Sequence, residues 1–168
     1  MAPGLTGILL VGGASVRFGT PKALAQIDGR TLADVAWEKL GAACDERIAV
    51  GKVADELPLP FELVDDGIDL RAPIAGVIAG LRAASNEHCV VVPVDCPWLT
   101  VDTIRLLAEQ TAQPHTGPLP GGYARSMLPE LERRLEAGEL SLRGVNDNTV
   151  VLQLAELRDA DVPDDLVD

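Results

Sequence analysis

Cations are scarce in this chain. Fourteen Lys and Arg stand against 26 Asp and Glu over 168 residues, a formal net charge of −12. Such an imbalance argues against non-specific binding to DNA, RNA or anionic lipid, all of which need positive charge. Cysteine is also scarce: Cys44, Cys89 and Cys96 are odd in number and lack metal-ligand spacing, so they read as reduced thiols. No long apolar run is present, which excludes a membrane helix of the usual length, and no charged–apolar–small leader opens the chain. The expectation is a cytoplasmic protein. Neither internal repeat nor linker divides the sequence, and 47% hydrophobic content is enough for one full core. A single domain over residues 1–168 is expected.

What is present alternates between two periods. "TGILLV" is an apolar run of the kind found in buried parallel strands, and "ERIAVG", "PFELVDD" and "HCVVVPVD" read as three more strands. The last is the most apolar and is expected to be central. Between them, residues 31–43 place Leu32, Val35, Ala36, Leu40 and Ala43 on one helical face. Residues 73–85 form a small-residue helix able to pack closely. "TVDTIRLLAEQTA" is a helix with Thr100 at its N-cap, and residues 126–138 form another that ends at Gly138. The alternation predicts an α/β fold of three layers, with a mostly parallel sheet covered on both faces.

Ligands of such sheets collect beyond the carboxyl ends of the strands, and three unusual segments lie there: "GGASVRFGTPK", "DDGIDLRAPIAG" and "DCPWL". Gly12 and Gly13 let backbone N–H groups approach phosphate oxygens, and Arg17 and Lys22 are cations able to neutralise them. The alternative is a glycine turn with surface cations. Neither the Walker pattern nor the G-x-G-x-x-G fingerprint is present. Asp95, at the tip of the most apolar strand, is placed to hold Mg²⁺ on a bound nucleoside triphosphate, because Mg²⁺ takes one or two carboxylates plus phosphate oxygens and water. Its alternative is a turn-forming Asp ahead of a proline. Asp65 and Asp66 read either as a solvated acidic turn or as a contact to a ribose hydroxyl. His88 and His115 lie outside these segments and read as bland surface or strand-edge residues.

These residues carry a resemblance. "LLVGGASVRFGTPKAL" resembles the L-x-G-G-x-S-x-R-M-G-x-x-K signature of nucleotidyltransferases that activate sugars, alcohols or cofactors. "APIAGVIAGLRAA", "VPVDCPWLT", the stretch from "PLPGGYARSM" onward and "DADVPDDL" are similar to successive segments of the molybdenum cofactor guanylyltransferases. The resemblance implies a Rossmann-like nucleotide-diphospho-sugar transferase fold. It also implies Mg²⁺-dependent transfer of GMP from GTP to the phosphate of molybdopterin, with release of pyrophosphate. Matched positions assign Leu10, Val11, Gly12 and Gly13 to the guanine and phosphates, and Arg17 and Lys22 to the triphosphate. Asp65 is assigned to the nucleotide, Gly76 to the pterin side and Asp95 to the metal. GTP and molybdopterin are the implied partners, with other proteins of cofactor biosynthesis or acceptor proteins as further candidates. Two alternatives stay open: an enzyme of the same superfamily using CTP or another phosphorylated acceptor, and a non-catalytic nucleotide-binding module. The sequence departs from the pattern at Phe18, Gly51, Arg71-Ala72 and Val162. Around residues 108–122 too few residues remain for the family's strand and variable loop.

Overall fold

The computed structural model describes residues 3–12 and 21–160. Strand β1 (Leu5–Leu10) is followed by a one-turn 3-10 helix at Lys22–Leu24 and a small hairpin, β2 (Gln26–Ile27) and β3 (Arg30–Thr31). Asp28 and Gly29 make the hairpin turn at φ +52° and +79°, the left-handed pair that a two-residue hairpin needs. Helix α1 (Leu32–Ala43), β4 (Glu46–Gly51), β5 (Leu63–Asp65), α2 (Pro73–Ala83) and β6 (His88–Pro93) come next. Then follow α3 (Val101–Gln110), β7 (Gln113–Pro114), β8 (Gly121–Ala124), α4 (Leu128–Glu136), β9 (Thr149–Val150) and the short α5 (Leu154–Leu157).

Five strands form one sheet in the order β5-β4-β1-β6-β8. The pairings β5-β4, β4-β1 and β1-β6 are parallel, and β8 runs antiparallel on β6. The mostly parallel, three-layer expectation holds. β1 occupies the middle, and the expected central strand β6 lies beside it, still interior. Period-two alternation explains the core. Leu9, Val90 and Val92 face a cluster with Leu32, Leu40, Ile104 and Leu107 of α1 and α3. Ile8, Cys89 and Val91 face the other way, toward Ile74, Ile78 and Leu81 of α2 and Leu131 of α4. Two glycines let α2 approach the sheet: a Cβ at Gly80 would lie 2.5 Å from Ile8 Cγ2, and one at Gly76 would lie 2.8 Å from Leu10 Cδ2. Thr100 caps α3 by accepting from the Thr103 N–H at 3.2 Å, as its position predicts, and Gly138 follows α4 at φ +76°.

The region expected to be too short for a strand and a loop holds both in compact form. Gln113–Pro114 pairs in parallel with Thr149–Val150, six residues form the connection, and Gly121–Ala124 completes the main sheet. Buried Asn146 ties this region together, donating to the carbonyls of Thr111 (3.0 Å) and Gly122 (2.8 Å). Among the described residues no helix is long and apolar enough to cross a membrane.

Candidate active site

β1, β4 and β6 end at the same edge of the sheet, and a cleft of about 290 Å³ opens there. Its floor is apolar, with Leu10, Val50 and Val94 at the strand ends. The N-terminal end of α2 borders it through Pro73 and Gly76, which directs the positive end of the helix dipole toward the space. Leu119, from the loop before β8, also lines it.

Lys22 and Asp95 meet in this cleft, 73 residues apart in sequence, with Nζ 3.2 Å from Oδ2. Each is placed by local structure. Ala23 is fully buried and anchors the 3-10 turn, and the turn is closed by the Leu24 N–H on the Pro21 carbonyl at 3.0 Å. Lys22 is thereby held at the cleft edge. Asp95 follows buried Val94, whose N–H bonds the Leu10 carbonyl at 2.9 Å and extends the β1-β6 ladder by one step. The Asp95 carbonyl in turn accepts from the Ala160 N–H at 2.8 Å. Both side chains keep partial exposure, 19% and 23%, so solvent and a ligand can reach them.

Asp95 and Asp159 carboxylate oxygens and the Cys96 sulfur lie within 4.8 Å of one another. Burial, and then the charges of Asp95 and Asp159, push the Cys96 thiol well above its ordinary value, so without a bound cation it stays protonated. Asp95 and Asp159 offer hard carboxylate oxygens, and Asp95 lines the cleft, a donor type that fits Mg²⁺.

The structure separates the other expected residues. Leu10, Gly12 and Gly76 line the cleft. Val11 turns its side chain into the core, and a Cβ at Gly51 would lie 2.8 Å from Val11 Cγ2, so a larger residue at 51 requires Val11 to shift. Asp65 is not among the residues lining the main cleft; its carboxylate accepts from the N–H groups of Val53 and Gly67, both at 2.9 Å, and borders a polar groove on the outer side. Those backbone bonds hold its carboxyl below the usual carboxylate range. Its neighbour Asp66 does line the cleft, paired with Lys52. The sequence reading assigned no role to Lys52 or Leu119. A lysine directly after a strand that ends at the ligand edge was the available signal for the first; for Leu119 there was none. Gly13 and Arg17 lie outside the described residues.

Comparison with known proteins agrees with this arrangement. A molybdenum cofactor guanylyltransferase from Desulfosudis oleivorans is 30% identical, with 97% of this chain and 87% of the relative aligned. One from Burkholderia orbicola is 32% identical over 84% of this chain and 81% of its own length. The crystal structure of molybdopterin-guanine dinucleotide biosynthesis protein A from Archaeoglobus fulgidus superposes with a TM-score of 0.75 at 26% identity, covering 96% of this chain and 94% of that one. The family described as MobA-like NTP transferase domain matches residues 7–149, a span that includes the glycine loop, Lys22, the α2 N-terminus and Asp95. With most of its length matched, the chain belongs to the MobA-like NTP transferase domain family.

Proposed function

We propose that this protein is a guanylyltransferase that moves GMP from GTP to the phosphate of molybdopterin and releases pyrophosphate. The observation that carries the reading is the Lys22–Asp95 pair, a cation and a carboxylate 3.2 Å apart at the mouth of the cleft. A phosphate oxygen of the acceptor attacks the α-phosphorus of GTP. The bond from that phosphorus to the oxygen bridging the β-phosphate breaks, and pyrophosphate leaves with the electron pair. The attacking oxygen is already anionic, so no general base is needed, which agrees with a cleft that has no histidine among its described lining. Lys22 exchanges Asp95 for the triphosphate and neutralises charge that grows on the leaving group. Arg17 is assigned to the same task. Asp95 would hold Mg²⁺, which when bound supplies charge neutralisation and alignment of the phosphate oxygens. Leu10, Gly12, Gly13 and the backbone of Val11 border the nucleotide, Asp65 is kept as a nucleotide contact, and Gly76 lines the approach of the pterin. The cytoplasm, where three free thiols persist, is the proposed location.

The test is pyrophosphate release by the purified protein with GTP, CTP or ATP, with and without molybdopterin, in Mg²⁺ or in chelator. The expected result is release that requires GTP, acceptor and Mg²⁺ together, with GTP bound about tenfold or more tighter than CTP. A preference for CTP overturns the guanylyl assignment, and nucleotide binding with no release under any combination identifies a binding module instead.

A further inference from the structure

The cleft has a second charged pair at its far end. Lys52 follows β4 directly and is almost buried against Asp66, with side-chain exposures of 12% and 10%. Its ammonium lies 2.9 and 3.0 Å from the two Asp66 carboxylate oxygens, and it also donates to the carbonyls of Ile68 and Leu70. An ammonium carries three protons. A carboxylate and two carbonyls account for all three, so Lys52 has nothing left to offer a ligand directly.

All of those acceptors come from one stretch, the loop between β5 and α2. Further bonds join that loop to the one after β4. The Asp66 N–H reaches the Gly51 carbonyl at 3.1 Å, and Asp65 accepts from Val53. Arg71, which also lines the cleft, makes a two-point pair with Asp55 at 2.7 and 3.0 Å. The two loops therefore form one wall, with Lys52 as its central tie.

The sheet order sets the distance of this wall from Lys22 and Asp95. β6 and β4 flank β1 on opposite sides, and β5 lies beyond β4. Neighbouring strands are ~4.8 Å apart, so the wall stands about 10 to 14 Å from the tip of β6. That is the reach of a nucleoside extended from its phosphates. Between the two ends the lining includes Leu10, Val50 and Pro73, an apolar surface suited to the face of a planar base.

We propose that Lys52 is a positioning residue for the nucleoside end of the substrate: by tying Asp66, Ile68 and Leu70 together it holds the wall against which the base packs. This rests on the proposed nucleotidyl transfer but assigns Lys52 no part in its chemistry. Its contribution is to nucleotide affinity, and the acceptor and the bond-making step do not depend on it.

The experiment uses the full chain with Mg²⁺ and compares wild type with Lys52→Met, which keeps the stem and removes the three donors. Calorimetry gives the Kd of each nucleoside triphosphate, and steady-state kinetics separates KM from kcat. Kd and KM for the nucleotide are expected to rise about tenfold as the wall behind the base loosens, with kcat per folded molecule and the acceptor KM within about twofold. A variant with a lower Tm but unchanged nucleotide Kd shows a purely structural tie and overturns the proposal, as does a fall in kcat with KM unchanged. If Lys52→Met does not fold, Lys52→Gln, which retains two donors, is measured by the same criteria. Should wild type bind CTP in place of GTP, the guanylyl reading fails while Lys52 is still judged, on the Kd of CTP.

Discussion

Replacing Asp95 by Asn separates a metal-binding carboxylate from a turn-forming one. The substitution keeps the size of the side chain and leaves its backbone bond to Ala160 intact. It removes one full charge 3.2 Å from Lys22. At an effective dielectric constant of about 20 the gross attraction at that distance is about 5 kcal/mol. Both groups are partly exposed, however, so screening and side-chain ordering offset most of it, leaving about 1 kcal/mol of net stability. For a domain of this size that is a fall in Tm of about 2–4 °C. Turnover is expected to respond on another scale: losing a charged group that organises the reacting phosphates costs about 10²-fold or more. Nucleotide affinity without metal is expected to stay level or tighten, because Lys22 no longer has to leave Asp95 and one carboxylate no longer repels the triphosphate. That tightening is expected to shrink with added salt. Differential scanning calorimetry, metal-free titration with GTP and Mg²⁺-dependent pyrophosphate release on the one variant give all three quantities. A turnover per folded molecule near wild type would refute the assignment of Asp95, and so would a large loss of Tm with specific activity kept.

On its proposed electrostatic role, Lys22→Met is expected to lower turnover by about two orders of magnitude with a Tm change of only a few degrees; near-normal turnover would return the glycine loop to a plain turn. Gly80→Ala places a methyl group 2.5 Å from Ile8 Cγ2, so thermal denaturation should show a loss of about 1–3 kcal/mol from overpacking between α2 and β1. Glu46 links β4 to the loop before β6: partial burial works against its charge, but hydrogen bonds from the Ser85 N–H and from the Thr6 and Ser85 hydroxyls outweigh it and hold its carboxyl below the ordinary value of 4.5. A depressed folded pKa contributes stability that is present above the ordinary value and lost as pH falls through the folded one. Glu46→Gln should therefore lower stability by about 1 kcal/mol at pH 7, and urea titrations should show that difference closing below about pH 4.5; a difference that stays constant into acid would mean the carboxylate charge is not what Ser85 and Thr6 recognise.

Much of the scaffold was legible in the residues because its signals are local. β1, β4 and β6 announce themselves as apolar runs, α1 by its period, α2 by its small residues and α3 by Thr100 at a cap. A buried strand and an amphipathic helix each need only their own residues to be recognised, so the α/β architecture and the ligand edge could be inferred without coordinates. Lys22 and Asp95 could be named for the same reason, one in a glycine loop and one at a strand tip. Three features needed the tertiary structure. β8 contains Gly121 and Gly122, poor strand formers, and exists because the backbone approaches α3 and the chain beyond it so closely at Gly122 that no side chain would fit. Asp65 and Asp66 are indistinguishable as letters, yet one binds backbone on the outer side and the other lines the cleft, a choice made by the bonds that Lys52 and Val53 offer from the segment after β4. That Lys22 and Asp95 stand 3.2 Å apart follows from β1 and β6 being neighbours, a pairing between segments some eighty residues distant. Local sequence sets what each segment is; which segments meet depends on the packing of the whole sheet, because pairing energy is shared across strands and belongs to none of them alone.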